Sequence, residues 1–90
     1  MMEDYRGSYY LRLMVVDKPG VVADIAASLR DENVSMEQMI QRGRAPGEPV
    51  PIVITTHETS ESAIERASRR LATIATIVEP PHIMVIESLE

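Results

Sequence analysis

Ninety residues with 44% hydrophobic and 26% charged side chains specify one small globular domain, neither disordered nor fibrous, that buries only about 60–65% of the surface its unfolded chain exposes. A net charge of −5 argues against a nucleic-acid partner, and the absence of cysteine excludes disulfides, thiolate metal sites and cysteine nucleophiles. No apolar run approaches the ~20 residues that span a bilayer, and Met1-Met2-Glu3-Asp4 lacks the basic-then-apolar pattern of a leader, so no membrane partner and a cytoplasmic location are expected.

Residues 1–8 mix charge with Gly7 and Ser8 and show no period, which predicts a tail or the remnant of an interdomain linker, with the domain proper over residues 9–90. Tyr9 to Val16 has strand character: Leu11, Leu13 and Val15 share one apolar face, while Tyr10, Arg12, Met14 and Val16 share a mixed one. A sheet covered by helices on one side produces this pattern. Asp17-Lys18-Pro19-Gly20 then turns the chain into a segment whose apolar residues, Val21, Val22, Ile25, Ala26 and Leu29, follow helical spacing. The helix is expected from about Pro19 to Asp31, with Pro19 in its first turn, where a missing N–H costs nothing, and Asn33 as its stop.

Val34 to Arg42 fits neither period cleanly, and a bulged strand accounts for the shift. Arg42 to Pro51 packs Gly43, Gly47, Pro46, Pro49 and Pro51 into a connecting loop. Val50 to Thr56 is a β-branched strand, with Pro51 marking an edge or an unpaired position near its start. Thr59 or Ser60 caps a second helix whose stripe is Ala63, Ile64, Ala67, Leu71 and Ile74. The basic cluster Arg66, Arg69 and Arg70 reads as a solvated helix end that complements the dipole. After Pro80-Pro81, His82 to Glu87 is the last strand. The order β-α-β-β-α-β predicts an α+β, ferredoxin-like fold: a four-stranded antiparallel sheet with two helices on one face.

Chemistry separates the families that share this order. Val50 to Thr56 has no aromatic residue for base stacking, the first loop has no paired cysteines for a metal, and His57 and His82 have no ligand-spaced partners. No nucleophile elbow or phosphate-binding glycine loop is present, so a binding or regulatory module is the better class than an enzyme. The first turn of the first helix offers that module a seat. Free N–H groups from about Gly20 to Val22 sit at a helix N-terminus and suit a carboxylate or phosphate, Gly20 permits close approach, and Asp17 can hold a cation. Together these suit a free amino acid, with a helix-capping role for Asp17 as the alternative.

The runs LMVVDKPGVVADIA and VSMEQMIQRG resemble the ACT domain, an amino-acid-sensing module of ferredoxin-like fold. YYLRLMVVDKPGVVADIA together with PGEPVPIVITTHET is most similar to the C-terminal ACT domain of bacterial homoserine dehydrogenases, over about Tyr9 to Ile86. The resemblance implies a regulatory role with threonine as feedback effector, and a homodimer through the second strand and first helix. It places Asp17, Pro19, Gly20, Val21 and Val22 on one side of the effector, with Ser35 and Gln38 reaching it from the partner chain; Ser35 can equally be a simple strand-start residue. No cofactor is expected in this segment, which lacks G-x-G-x-x-G, and NAD(P) is expected in a separate catalytic domain. Two alternatives stay open: a structural dimerisation domain without effector binding, and an ACT domain of another biosynthetic enzyme answering to serine or a branched-chain amino acid.

Overall fold

The computed structural model describes residues 5–41, 43, 45 and 47–86. Its elements are β1 (Arg6–Val16), α1 (Val21–Asp31), β2 (Met36–Gln41), β3 (Pro49–Thr56), β4 (Thr59–Ser60), α2 (Glu61–Ala72) and β5 (His82–Ile86). Every strand pairing is antiparallel, and the sheet runs β2-β3-β1 with β5 and the short β4 on the far side of β1. The ferredoxin-like α+β reading holds, with five strands in place of four. The added strand is β4, which pairs Thr59 and Ser60 with Gly7 and Arg6.

That pairing also moves the start of the sheet. β1 begins at Arg6, three residues before the expected Tyr9, because the turn into α2 supplies Arg6 and Gly7 with a neighbour. Residues 1–4 of the expected tail lie outside the described residues, as do Arg42, Arg44 and Pro46 of the expected loop and Glu87 of the expected last strand.

Alternation decides the core. Tyr9, Leu11, Leu13 and Val15 of β1 and Val50, Ile52 and Ile54 of β3 are buried on one face, against Val21, Ile25 and Leu29 of α1 and Ala63, Ile64, Ala67 and Leu71 of α2. Ile74, expected on the α2 stripe, lies past the helix end and is half-buried. Thr56 is the buried exception on that face of β3, and its hydroxyl accepts a hydrogen bond from the Tyr9 N–H at 3.0 Å. The opposite face of the sheet is open, and β5 leaves Met84, Val85 and Ile86 exposed. Among the described residues no helix is long and apolar enough to cross a membrane.

The expected bulge in β2 is present. The register against β3 slips between Met36 and Gln38, which returns Met39 to the core side opposite Ile54. β3 starts at Pro49, so Pro49 to Pro51 belong to a strand and not to the loop. Pro51 is tolerated inside this internal strand for a local reason. Its partner in β1 is Met14, whose carbonyl points away and accepts from the Val78 N–H at 2.9 Å, and β2 pairs with β3 only as far as Ile52. Among the described residues no ladder bond therefore needs the missing proline N–H.

α1 runs to Asp31 and is stopped by Asn33, as expected. Asn33 takes a left-handed φ of 59°, and its N–H and that of Val34 return to the carbonyls of Arg30 and Leu29, closing the helix with a Schellman motif. α2 is capped by Ser60, whose Oγ accepts from the Ala63 N–H at 3.2 Å. The arginines of α2 do more than meet solvent. Glu32, at the C-cap of α1, accepts from Arg66 Nε at 2.8 Å with one carboxylate oxygen and from Arg70 Nε with the other. These two bonds hold the Glu32 carboxyl below the usual carboxylate range, Arg70 contributing most.

Candidate functional site

The site is built at the point where β1 hands the chain to α1. Lys18 to Val21 form a tight turn closed by a long Val21 N–H to Lys18 carbonyl contact of 3.4 Å. Pro19 occupies its second position, where a fixed φ is favoured, and Gly20 its third, with φ 89° and ψ −14°. These are type II turn angles, and they correct the expectation that Pro19 lies inside the helix. α1 begins at Val21, with Gly20 as its N-cap. Gly20 offers no side-chain cap, so the N–H groups of the first turn are met by no capping side chain, and that of Val21 makes only the long contact to the Lys18 carbonyl. A β-carbon at Gly20 would meet nothing within 4 Å, so the surface above this turn is open.

Asp17 lies just before the turn, half-buried, and does not cap α1. Its Oδ2 accepts from the Ala45 N–H at 3.0 Å, its own N–H donates to the Glu48 carbonyl, and its carbonyl accepts from Gly47. Asp17 thus fastens the β2–β3 connection to the end of β1.

These residues line an open depression of about 490 Å³, bounded by Asp17, Lys18, Pro19, Gly20, Val21, Val22 and Gln41. Five of the residues singled out from the sequence are brought together here: Asp17, Pro19, Gly20, Val21 and Val22. Val22, one of the apolar residues at helical spacing, is 37% exposed and forms an apolar rim. Ser35 and Gln38 are not brought to the depression within one chain. Ser35 precedes β2 and accepts from the His57 N–H with its carbonyl, and Gln38 lies opposite Thr55 on the open face of the sheet.

Lys18 and Gln41 are the residues that sequence reasoning passed over. Lys18 is in the loop motif itself, and an exposed lysine in a turn carries no distinguishing signal. Gln41 requires the bulge to be placed first: only after the register slips does its alternation put it beside Ile52, on the helix side, at the end of β2 that meets α1.

Charge in the depression is paired by position. Lys18 and the positive end of α1 attract a carboxylate, Asp17 attracts an ammonium, Val21 and Val22 give apolar contact, and Gln41 offers both a donor and an acceptor. The arrangement is suited to holding a small zwitterion.

Residues 9–87 match the ACT domain family. The chain is 39% identical to homoserine dehydrogenase of Neisseria gonorrhoeae, over 98% of its own length and 20% of that protein. It is 41% identical to homoserine dehydrogenase of Methylobacillus glycogenes, over 78% of its length and 17% of that protein. The crystal structure of a homoserine dehydrogenase from Thiobacillus denitrificans superposes with a TM-score of 0.85 at 32% identity, covering 94% of this chain and 18% of that one. The chain thus spans about a fifth of the length of the curated relatives it matches. With the βαββαβ core, the Asp-Lys-Pro-Gly turn and the match over nearly its whole length in agreement, the chain belongs to the ACT domain family.

Proposed function

We propose that this chain is the amino-acid-sensing regulatory domain of a homoserine dehydrogenase and that threonine is its effector. The observation that carries the reading is the depression at the N-terminus of α1, where Lys18, uncapped helix N–H groups and Asp17 offer opposite charges to the two ends of an α-amino acid. The effector's carboxylate takes the N–H groups of about Gly20 to Val22 beside Lys18, displacing the long Val21 contact to the Lys18 carbonyl, and its ammonium takes the Asp17 carboxylate.

The rest of the site comes from a second copy. Among the described residues β2 is an edge strand, paired with β3 alone. A twofold antiparallel pairing of β2 with its counterpart, centred on Gln38, would set residue 35 of one chain opposite residue 41 of the other. Ser35 would then complete the depression across the interface, Gln38 would stand at the axis, and α1 would pack beside it. Effector bound between the copies favours one arrangement of the dimer, and in the full-length enzyme this differential affinity shifts the equilibrium toward an inhibited state. Hydride transfer and the NAD(P) site belong to the remainder of that enzyme, in the cytoplasm.

A second reading, a dimerisation domain with no effector, draws on the bond that Asp17 already makes to Ala45. Melting of the chain with L-threonine, L-serine, L-isoleucine and L-methionine separates the two. Ligand at a hundredfold over its dissociation constant adds about 2.7 kcal/mol, and each kcal/mol raises the Tm of a domain this size by roughly 4–8 °C. A rise with threonine alone supports threonine sensing, and a rise with a different amino acid replaces the effector. No rise with any of them sinks the sensing reading. Asp17→Asn, which keeps an acceptor for Ala45 but removes the charge, is expected to weaken threonine binding about tenfold with little change in ligand-free Tm.

A further inference from the structure

An antiparallel sheet with helices on one face ordinarily turns polar side chains to solvent on the other. The open face of this sheet departs from that pattern. Register sets Ile40, Val53, Arg12 and His82 in one row across β2, β3, β1 and β5, with Tyr10 and Met84 side by side in the next. Ile40, Met84 and Ile86 are 42%, 63% and 40% exposed, and Tyr10 and Val53 are half-buried on the side away from the core. An apolar surface of this kind marks a contact. Where β1 pairs with β3 and β5, the side chains of this face carry one permanent charge, that of Arg12. Arg12 stands in an interior strand, is exposed, and makes no ion pair among the described residues.

These features choose the occupant. A second copy laid face to face on a central twofold axis would bring Arg12 against its own counterpart, two like charges stripped of water with nothing to compensate them. Pairing through β2 does not cover the face either. The twofold axis of two antiparallel strands stands perpendicular to the sheet, so both open faces come to lie on one side of the joined sheet and the helices on the other. About four-fifths of the length of the curated relatives lies outside the part this chain matches. A partner that offers an apolar surface with a carboxylate near its centre fits both the patch and Arg12.

We propose that the domain docks through this open face onto the remainder of the homoserine dehydrogenase, where a carboxylate receives Arg12 at the centre of an otherwise apolar contact. The proposal rests on the reading of the chain as a domain of that enzyme and not on the identity of its effector. β1 presents Arg12 to the contact and leads directly into Asp17 of the depression, so docking and effector binding bear on one strand.

Methionine oxidation by dilute hydrogen peroxide, followed by peptide mass spectrometry, reads this face through the exposed Met84. With no amino acid added, Met84 is expected to oxidise about fivefold or more slowly in the full-length enzyme than in the chain alone. Arg12→Glu, at an exposed position, is expected to leave the Tm of the chain within about 3 °C of its starting value. In the full-length enzyme the same substitution returns Met84 to the rate of the free chain, while Arg12→Lys, which keeps the charge, retains the slow rate. Equal oxidation of Met84 in chain and enzyme overturns the proposal, and so does undiminished protection in Arg12→Glu. Protection that arises in the chain alone as its concentration is raised also overturns it and assigns the face to a second copy. The effector takes no part in the readout, so a failure of threonine to raise the Tm leaves docking standing, and equal oxidation leaves threonine sensing standing.

Discussion

At the residue scale, the turn into α1 shows how a small change of backbone sets what a site can do. Gly20 holds φ at 89°, a region that side chains rarely adopt, and the space around it is empty. Gly20→Ala therefore costs backbone strain and not a collision. The expected loss is about 1–2 kcal/mol, read as a fall in Tm, and any amino-acid binding weakens further as the turn relaxes and re-aims the N–H groups of Val21 and Val22. The five residues from the loop motif were legible because proline and glycine announce a turn whatever surrounds them. The function of Asp17 was less so. Its bond to Ala45 spans 28 residues of chain, and local pattern contains no term for such a contact. The start of α1 was misplaced for a related reason: Pro19 suits both a first helical turn and the second position of a type II turn, and only the conformation of Gly20 chooses between them.

At the element scale, α1 and α2 are tied at one end by Glu32, which receives Arg66 and Arg70 together. The folded Glu32 carboxyl has its pKa lowered from an ordinary value of 4.5. A depressed pKa of this kind gives stability that is present above the unfolded value and is lost as pH falls through the folded one. The chain is therefore expected to lose part of its stability below pH 4.5. Glu32→Gln, which cannot ionise, flattens that acid limb in denaturant titrations over pH 3 to 6 while lowering stability at neutral pH; an unaltered acid limb would assign it to other carboxylates. Both arginine side chains are about half exposed, so salt weakens the tie. The two helices and β1 were legible from periodicity, and β3 from its β-branched residues. β4 was not, since two residues carry no period and exist as a strand only because β1 passes beside them. The β2 bulge was legible only as a misfit, which signals that side chains change face without giving the register.

At the scale of the whole molecule, one core holds both layers together. Leu11 is fully buried at its centre, paired with Ile54 on one side and Ile83 on the other. Leu11→Ala is expected to cost about 2–5 kcal/mol, against a total stability of roughly 5–13 kcal/mol for a domain this size. Circular dichroism melts read this as a Tm lower by 10 °C or more, and a shift of only a few degrees would mean that the sheet repacks around the gap. The sequence pattern identified this core well, because β1 and β3 alternate strictly. What it left undetermined was the far end of the sheet, where residues 6–8 join through partners half a chain away.

That placement of β1 has a consequence for the order of events during synthesis. Within this domain β1 leaves the ribosome before every other element, yet its neighbours are residues 49–56 and 82–86. Until β3 emerges it has no strand to pair with, and until β5 emerges one of its edges stays bare, an open template for another nascent chain. Closing such distant pairs makes folding slow relative to helix formation. The sheet is thus finished only after β5 has been released from the exit tunnel, and a chain stalled near Pro80 exposes the β1 edge that β5 was made to cover.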